Sequence, residues 1–434
     1  MIKRGLYNYL KFLVRFSFGI FYRPTVVLGK ERLRLQGPTI LATNHPNTLV
    51  DALNAAGRAN QIVHFLVNAS LYSSATGRRF FDYMFCIPVK RRQDKGAAGV
   101  DNADSFARCY EHFRAGGHLF IAPEGGSEAG RRLRPVKRGT AHMVMGAYRA
   151  QPEAEPVRIL PIGLNYQRPH RFGSYLVVNV GEPILNTDYA EQYQTNPREA
   201  VKQLTNDLEE RLRSTLIHTR SPEQDEALTV LENLLQAQQP VPLETHFHRI
   251  RLLIGAMQNW EDHQPQEYSV FEDEVRSVQQ QMRELKLTEE ALIMHEERAP
   301  RAYWRLFAGL PLYLFGYINN LFAAGIPYLL SQSSRIDREY EATVQILLGL
   351  ITFPFFYVLQ AWLLSSWLGV WGAIGYGLSL LPAGLFAWHY RQYWKRHRAI
   401  FRFKNLAPRQ QLVLIQQKDK LMERIQQFVR NGVV

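Results

Sequence analysis

Hydrophobic and polar positions change their rhythm three times along this chain. From about residue 26 to residue 220, short apolar runs alternate with stretches of helical spacing. The runs at Thr39–Thr43, 62–67, 118–122, 159–164 and 175–180 read as strands. Between them, 102–115 and 140–150 carry helical spacing, and Gly116-Gly117 stops the first. Strands alternating with helices predict an α/β domain. Residues 221–300 turn acidic and Gln-rich, with helical spacing at 225–237 and 270–297 and a proline break near 239–242, which predicts a helical connector. The third change is abrupt. Stretches 306–330, 344–364 and 370–390 hold no Asp, Glu, Lys or Arg. Each reaches the roughly 20 apolar residues that a membrane span needs. Trp304, Tyr328, Trp371 and Trp388 stand near their ends, as interfacial anchors do. Residues 301–390 therefore predict an α-helical membrane region, followed by a helical tail at 391–434.

The N-terminal segment, 1–25, has its own pattern. Arg4, Asn8, Lys11 and Arg15 fall on one stripe of a helix, and Leu6, Leu10, Phe12, Leu13, Phe16, Phe18 and Phe21 cover the rest. Lys11 and Arg15 break the apolar run and no small-residue cleavage site follows, which argues against a signal peptide. The preferred reading is an amphipathic helix in a membrane interface with its basic face toward headgroups. The alternative is a helix packed on its own domain.

Composition narrows this picture in three ways. With 434 residues, at roughly 150 per domain, the chain has room for two to three domains, and 46% hydrophobic residues exclude a disordered one. Cys86 and Cys109 cannot build a disulfide framework and lack metal-ligand spacing, which suits a reducing compartment. The net charge of +13 is unevenly spread. Residues 1–220 hold 31 Lys and Arg against 18 Asp and Glu, residues 221–390 hold 10 against 19, and residues 391–434 hold 11 against 2. Two basic blocks suggest anionic partners. The tail begins at the edge of an apolar stretch, so an anionic membrane surface suits it better than nucleic acid, which is not expected as a partner.

Chemistry concentrates just past the strands. Asn44-His45-Pro46-Asn47-Thr48-Leu49-Val50-Asp51 follows the strand Thr39–Thr43 directly. A histidine at a strand end with a carboxylate a few residues on is placed for base catalysis at the edge of an α/β sheet. Six steps of about 100° would set the two some 240° apart on one helix. His45 must then sit in the turn, with Asp51 in the first turn of the next helix. Thr48-x-x-Asp51 also looks like a capping box, which would make Asp51 a helix-start residue instead. Of three further blocks, those at Glu124 and at 160–166 lie at strand ends and the third is a basic cluster. Pro123-Glu124-Gly125-Gly126-Ser127 is followed by Arg131, Arg132, Arg134, Lys137 and Arg138, Ile87-Pro88-Val89 runs into Lys90-Arg91-Arg92, and a fourth block covers Leu160 to Tyr166. His246 and His248 suggest a metal pair, but nothing nearby completes a site.

These four blocks, in this order and at these separations, resemble the four motifs of the glycerolipid acyltransferases, over about residues 30–220. That family includes the glycerol-3-phosphate and 1-acylglycerol-3-phosphate acyltransferases. The resemblance implies an α/β acyltransferase domain with a mixed sheet at 26–220. It implies a reaction that moves a fatty acyl group from an acyl-CoA or acyl-carrier-protein thioester to a glycerol hydroxyl. His45 would be the base and Asp51 its partner. Asn44, Lys90, Arg91, Glu124, Gly125, Gly126, Ser127 and Lys137 would bind substrates, with Lys90, Arg91 and Lys137 on the acceptor phosphate and Glu124 on its hydroxyls. No metal and no cofactor beyond the thioester co-substrate is called for. The preferred acceptor is 1-acylglycerol-3-phosphate, with glycerol-3-phosphate as the alternative. Two departures stand out. Five residues separate His45 from Asp51 where the commonest pattern has four, as in a subgroup associated with glycerol-3-phosphate acyltransferases. Ser127 occupies the slot where many members carry a phosphate-binding Arg.

Rival readings fare worse. Gly125-Gly126-Ser127-Glu128-Ala129 lacks the second glycine of a nucleophile elbow, and there is no Walker loop or Rossmann fingerprint. A non-catalytic lipid-binding protein would not need the His45, Asp51 and Glu124 set. The expected place is a membrane, with the catalytic domain on the cytoplasmic face, because basic residues flank the apolar region on both sides. Both flanks inside requires an even number of crossings. Asn319-Asn320, Pro311 and Pro327 make 306–330 the candidate for a re-entrant hairpin, while 344–364 and 370–390 cross as a pair joined at 365–369.

Overall fold

The central strand β2, Thr39–Thr43, is buried at every position. A strand covered on both faces takes a continuous apolar run rather than an alternating one. The computed structural model of the chain describes residues 2–90, 102–294, 299–333 and 335–431. Around β2 lie β1 (Thr25–Leu28), β3 (Val63–Asn68), β4 (Cys86–Val89), β5 (His118–Ile121), β6 (Arg158–Tyr166), β7 (Leu176–Val180) and β8 (Ile184–Leu185). The sheet order is β1-β7-β6-β2-β5-β3-β4, with β8 beside β6. Strands β6, β2, β5, β3 and β4 run parallel, while β7 pairs antiparallel with β6, so the sheet is mixed. The strands expected at 62–67, 118–122, 159–164 and 175–180 are present within two residues at each end.

Helices α1 (Ile2–Phe21), α2 (Thr48–Arg58), α3 (Ala75–Tyr83), α4 (Asn102–Arg114), α5 (Gly139–Ala150), α6 (Ala190–Thr195) and α7 (Pro197–Ser214) complete this part of the chain. Ile40, Leu119 and Ile159 from the sheet meet Met143, Met145, Leu204 and Leu208 from α5 and α7 in one core. The chain divides into two compact units, and the first comprises Met1–His218 together with Asp337–Thr343.

Helix α1 corrects the expected orientation of the N-terminal stripe at Lys11 and Arg15, while Arg4 and Asn8 remain exposed. Lys11 donates to the Ala59 carbonyl, and Arg15 Nε donates to the Gly57 carbonyl at 2.6 Å. The last carbonyls of α2 have no intrahelical donors and carry the negative end of its dipole, so cations there are favoured. The inward face is completed by buried Tyr7, Phe18 and Phe21, and the Tyr7 hydroxyl oxygen accepts the Val63 N–H at 3.0 Å. What faces outward is Ile2, Tyr9, Phe12 and Phe16, with Phe12 63% exposed.

Three histidines cluster at the sheet edge where β3 and β5 begin. The rings of His64 and His112 lie 4.2 Å apart, and His112 Nε2 lies 3.1 Å from the His118 carbonyl. Burial pushes His64 and His118 down to about 4, with the neighbouring His112 charge adding to it. Both folded values lie below the ordinary 6.5, so the unfolded chain takes up protons first as the pH falls. The stability is full above about pH 6.5 and is lost toward pH 4. Melting temperature followed across that window should fall, and a His64→Phe, His118→Phe chain should fall less. An identical slope in the two would assign the acid sensitivity elsewhere.

The second unit comprises Thr219–Ile336 and Val344–Val434 and is helical. Helices α8 (Pro222–Gln238), α9 (Leu243–His263), α10 (Pro265–Glu284) and α11 (Glu289–Ile293) pack with α14 (Pro408–Asn431). The connector and the tail are thus one body rather than separate segments, because Leu414, Leu421, Met422 and Ile425 of α14 are buried. His246 pairs with Glu232 at 3.1 Å inside this body, both buried, which gives it a partner in the core rather than a metal. Among the described residues no His, Cys, Asp and Glu group could hold a metal ion.

Helix α12, Ala299–Ser331, runs unbroken through both prolines, so the re-entrant hairpin expected at 306–330 is not formed. Its central asparagines bond sideways instead of marking a turn. Asn320 Nδ2 donates to the carbonyls of Gly316 (2.9 Å) and Leu380 (3.1 Å), and the Tyr357 hydroxyl donates to its Oδ1 at 2.6 Å. Helix α13, Glu341–Lys404, breaks only at Gly369, whose φ is +66°. Residues 365–368 remain helical, so the joint is one glycine rather than a five-residue linker. Stretches Tyr303–Ser331 and Arg338–Lys404 are long and apolar enough to cross a membrane, by length and composition. In their most apolar windows only 17% and 11% of the residues are buried.

Candidate active site

Strands β2, β5 and β6 end toward one edge of the sheet, with Ala42 paired to both Ile121 and Pro161. The chain leaving β2 and β5 therefore delivers Asn44-His45 and Pro123-Glu124 to one place, while β6 runs on past them to Tyr166. Ligands of parallel α/β sheets gather at such carboxyl edges. Asn44 spends its amide on β6, accepting the Leu164 N–H at 2.8 Å and donating to the Leu164 carbonyl at 3.1 Å. Its groups pin two strand ends together rather than face a substrate.

His45 sits in the turn and Asp51 on the first turn of α2, as the angular argument requires. His45 Nδ1 lies 3.0 Å from Asp51 Oδ2. The same oxygen accepts the Asn47 backbone N–H at 2.6 Å, and Oδ1 accepts the Tyr166 hydroxyl at 2.9 Å. Asp51 thus ties the helix start and pairs with the histidine at once. The Asp51 side chain is fully buried, while the His45 ring keeps 15% exposure. Burial pushes the Asp51 carboxyl up, and the bonds from His45, Asn47 and Tyr166 work against that. Tyr166 and Tyr22 are held well above the ordinary tyrosine range by burial, so both stay protonated. Tyr22 accepts Asn47 Nδ2 at 2.6 Å and donates to the Pro169 carbonyl at 2.7 Å. Thr48, between the pair, has φ +43°, a conformation that costs a β-branched residue about 1–3 kcal/mol and persists only where the surroundings hold it.

Glu124 is 5% exposed and already engaged at both oxygens. Oε1 accepts the His45 backbone N–H at 2.8 Å, and Oε2 accepts the Arg134 backbone N–H at 3.0 Å and its Nε at 3.2 Å. Burial pushes its carboxyl up, opposed by Arg134 and by the His45 N–H. It holds the backbone of the histidine rather than presenting a free carboxylate to a glycerol hydroxyl. Gly125 stands at φ +74°, and a Cβ there would lie 2.6 Å from Lys137 Nζ, so the lysine amine rests over the glycine. Arg134 also donates to the Gly126 carbonyl. Ser127 is half-buried beside it, and the Glu128 N–H closes the loop onto the His45 carbonyl at 3.2 Å.

Lys90 is exposed just past β4. Register places Cys86 level with Phe65 and Phe65 level with Phe120, so Lys90 and Glu124 each lie four residues beyond the same level. At about 4.8 Å per strand, β4 lies about 14 Å from β2. Arg91 lies outside the described residues. Tyr22, Asn47, Tyr166 and Arg134 were not singled out by the sequence. Tyr166 ends the fourth motif block, and Arg134 was one of five cations between 131 and 138.

Residues 25–165 match the family model described as Acyltransferase. This part of the chain carries the acyltransferase match. Glycerol-3-phosphate O-acyltransferase 2 of Saccharomyces cerevisiae is 32% identical over 190 residues, 42% of this chain and 23% of that protein. Glycerol-3-phosphate O-acyltransferase 1 of the same yeast is 33% identical over 163 residues, 36% of this chain and 21% of that protein. The match thus spans less than a quarter of either relative's length. Among solved structures, the 1-acyl-sn-glycerophosphate (LPA) acyltransferase PlsC of Thermotoga maritima is similar at 14% identity and a TM-score of 0.33, over 48% of this chain and 81% of that one. The acyltransferase match holds β1 through nearly all of β6, and with them His45, Asp51 and Glu124.

Proposed function

We propose that the acyltransferase domain moves an acyl group from a thioester to a hydroxyl of glycerol-3-phosphate. The carrying observation is the His45–Asp51 pair at the carboxyl edge of the sheet, with the imidazole partly open and the carboxylate wholly buried. A glycerol hydroxyl is a weak nucleophile and needs a base as it attacks. Asp51 fixes the proton on Nδ1 and leaves the Nε2 lone pair to take the hydroxyl proton. The oxygen then bonds to the thioester carbonyl carbon and the carbon–sulfur bond breaks. The thiolate leaves with the proton from His45, giving an ester and a free thiol. Lys137 and Lys90 would meet the acceptor phosphate, and Arg134, beside Gly126, brings a cation next to the slot that Ser127 leaves empty of charge.

Two observations support this acceptor, the glycerol-3-phosphate acyltransferase names of the yeast relatives and the five-residue spacing of the His45 motif. The test is transfer of radiolabelled acyl groups from acyl-CoA and from acyl-carrier protein to glycerol-3-phosphate and to 1-acylglycerol-3-phosphate. Faster transfer to the lysolipid would return the acceptor to 1-acylglycerol-3-phosphate. No transfer to either would end the reading.

The product is amphipathic, and the proposed site of action is a membrane surface with the domain on the cytoplasmic side. Long apolar helices left mostly unburied support this, since a soluble core helix would be covered. The outward aromatic face of α1 supports it also. Phe12→Glu with Phe16→Glu should weaken binding of the full chain to anionic vesicles. Because Lys11 and Arg15 are turned inward, moderate salt should matter less than these two changes. Binding unchanged by the substitutions would remove α1 from the membrane contact.

A further inference from the structure

The residue that makes the His45 motif one longer than the commonest pattern has to be accommodated somewhere between His45 and Asp51. Thr48 is the one position between them with positive φ, at +43°. A left-handed residue turns the chain sharply, which lets a six-step path bring Nδ1 and Oδ2 to 3.0 Å. Threonine is a poor choice for that conformation, since its branched Cβ crowds the backbone. Something must hold it there.

The structure shows what does. The Thr48 hydroxyl donates to the Glu339 carbonyl at 3.2 Å and accepts from the Thr343 hydroxyl at 2.9 Å. Both partners belong to the Asp337–Thr343 segment, which is far away in sequence yet packs with the first unit. Ala342 in the same segment is fully buried, and Arg338 reaches His170 at 3.3 Å. In sequence this segment runs from the end of the link after α12 into the first turn of α13, so Ala342 and Thr343 stand at the start of the second long apolar helix. We infer that the Asp337–Thr343 segment, a loop that runs into the first turn of α13, positions the catalytic pair, by holding Thr48 in the strained conformation that sets Asp51 against His45. The inference rests on the acyl-transfer reading above for what the pair does. Thr48 and Thr343 are positioning residues, since neither touches the reacting atoms.

The experiment compares Thr343→Val, Thr48→Gly and the double variant in the full chain. Thr343→Val removes one hydroxyl from the loop and leaves the motif untouched. It should lower kcat by about tenfold to 100-fold, the scale of a small misplacement, with both KM values unchanged. Glycine adopts positive φ without strain, so Thr48→Gly no longer depends on the loop. The double variant should therefore recover the turnover that Thr343→Val loses. Recovery by glycine is what a purely structural role for the loop would not give. A second readout needs no substrate. The rate at which diethyl pyrocarbonate modifies His45, measured by peptide mapping with exposed His263 as reference, should change in Thr343→Val and return in the double variant. Wild-type kcat and wild-type His45 reactivity in Thr343→Val would overturn the inference, and so would a double variant as slow as Thr343→Val. A wild-type chain that transfers no acyl group would overturn the function reading alone, because the His45 reactivity still reports on the loop.

Discussion

His45→Ala should cut acyl transfer by about 10²–10⁴, the usual worth of a positioned general base. The fold should survive the change. The ring keeps 15% exposure beside its fully buried partner Asp51, and the contacts that hold the turn come from the His45 backbone, whose N–H bonds Glu124 and whose carbonyl accepts from Glu128. Alanine keeps both. Turnover measured with saturating thioester and acceptor, beside a melting curve, separates the two effects. A well-folded His45→Ala chain with full turnover would end the direct-base mechanism.

Asp51→Asn should be nearly as damaging to turnover, about 10²–10⁴, by a different route. The amide can still accept from Tyr166 or from the Asn47 N–H. Toward His45 it offers either an N–H donor or one oxygen already claimed by a neighbour. A donor facing Nδ1 favours the tautomer with its proton on Nε2, which removes the base from the substrate side. Losing the bond to the Asn47 N–H should also loosen the start of α2, by about 0.5–2 kcal/mol if it acts as a cap. Turnover and melting temperature measured together distinguish the outcomes. Stability lost with turnover intact would leave Asp51 as a helix-start residue and nothing more.

The parts of this architecture that depend on neighbours in sequence were readable from it. β2 shows as an unbroken apolar run because both its faces are covered, and the chemistry follows at its end. The turn before α2 follows from counting angular steps between His45 and Asp51. Contacts from far along the chain left no such trace. Tyr22 and Tyr166 reach the Asn47 and Asp51 cluster from positions 25 and 115 residues away. Arg134 differs from its basic neighbours only in turning onto Glu124. β4 was hidden because Pro88 argues against a strand, yet β4 is the edge of the sheet, where a missing N–H is tolerated. Asn319-Asn320 read as a break because their partners, Leu380, Tyr357 and Tyr376, belong to a helix not yet reached. The stripe on α1 splits: Arg4 and Asn8 stay exposed as expected, while Lys11 and Arg15 turn onto α2. Periodicity gives a face but not its direction, and the carbonyls at the end of α2 decided it.

That inward pair makes α1 a splint as well as a surface. The helix that carries Asp51 is clasped at its far end by Lys11 and Arg15, and the turn before it is braced by Tyr22, just past the end of α1. A shortened chain trimmed after Tyr22 to gain solubility would therefore shed more than an aromatic face. It would leave the helix bearing the carboxylate unclasped, so an inactive trimmed enzyme would say nothing about whether lipid contact itself is needed for turnover. Exchanging only the outward residues keeps the splint in place and asks that question cleanly.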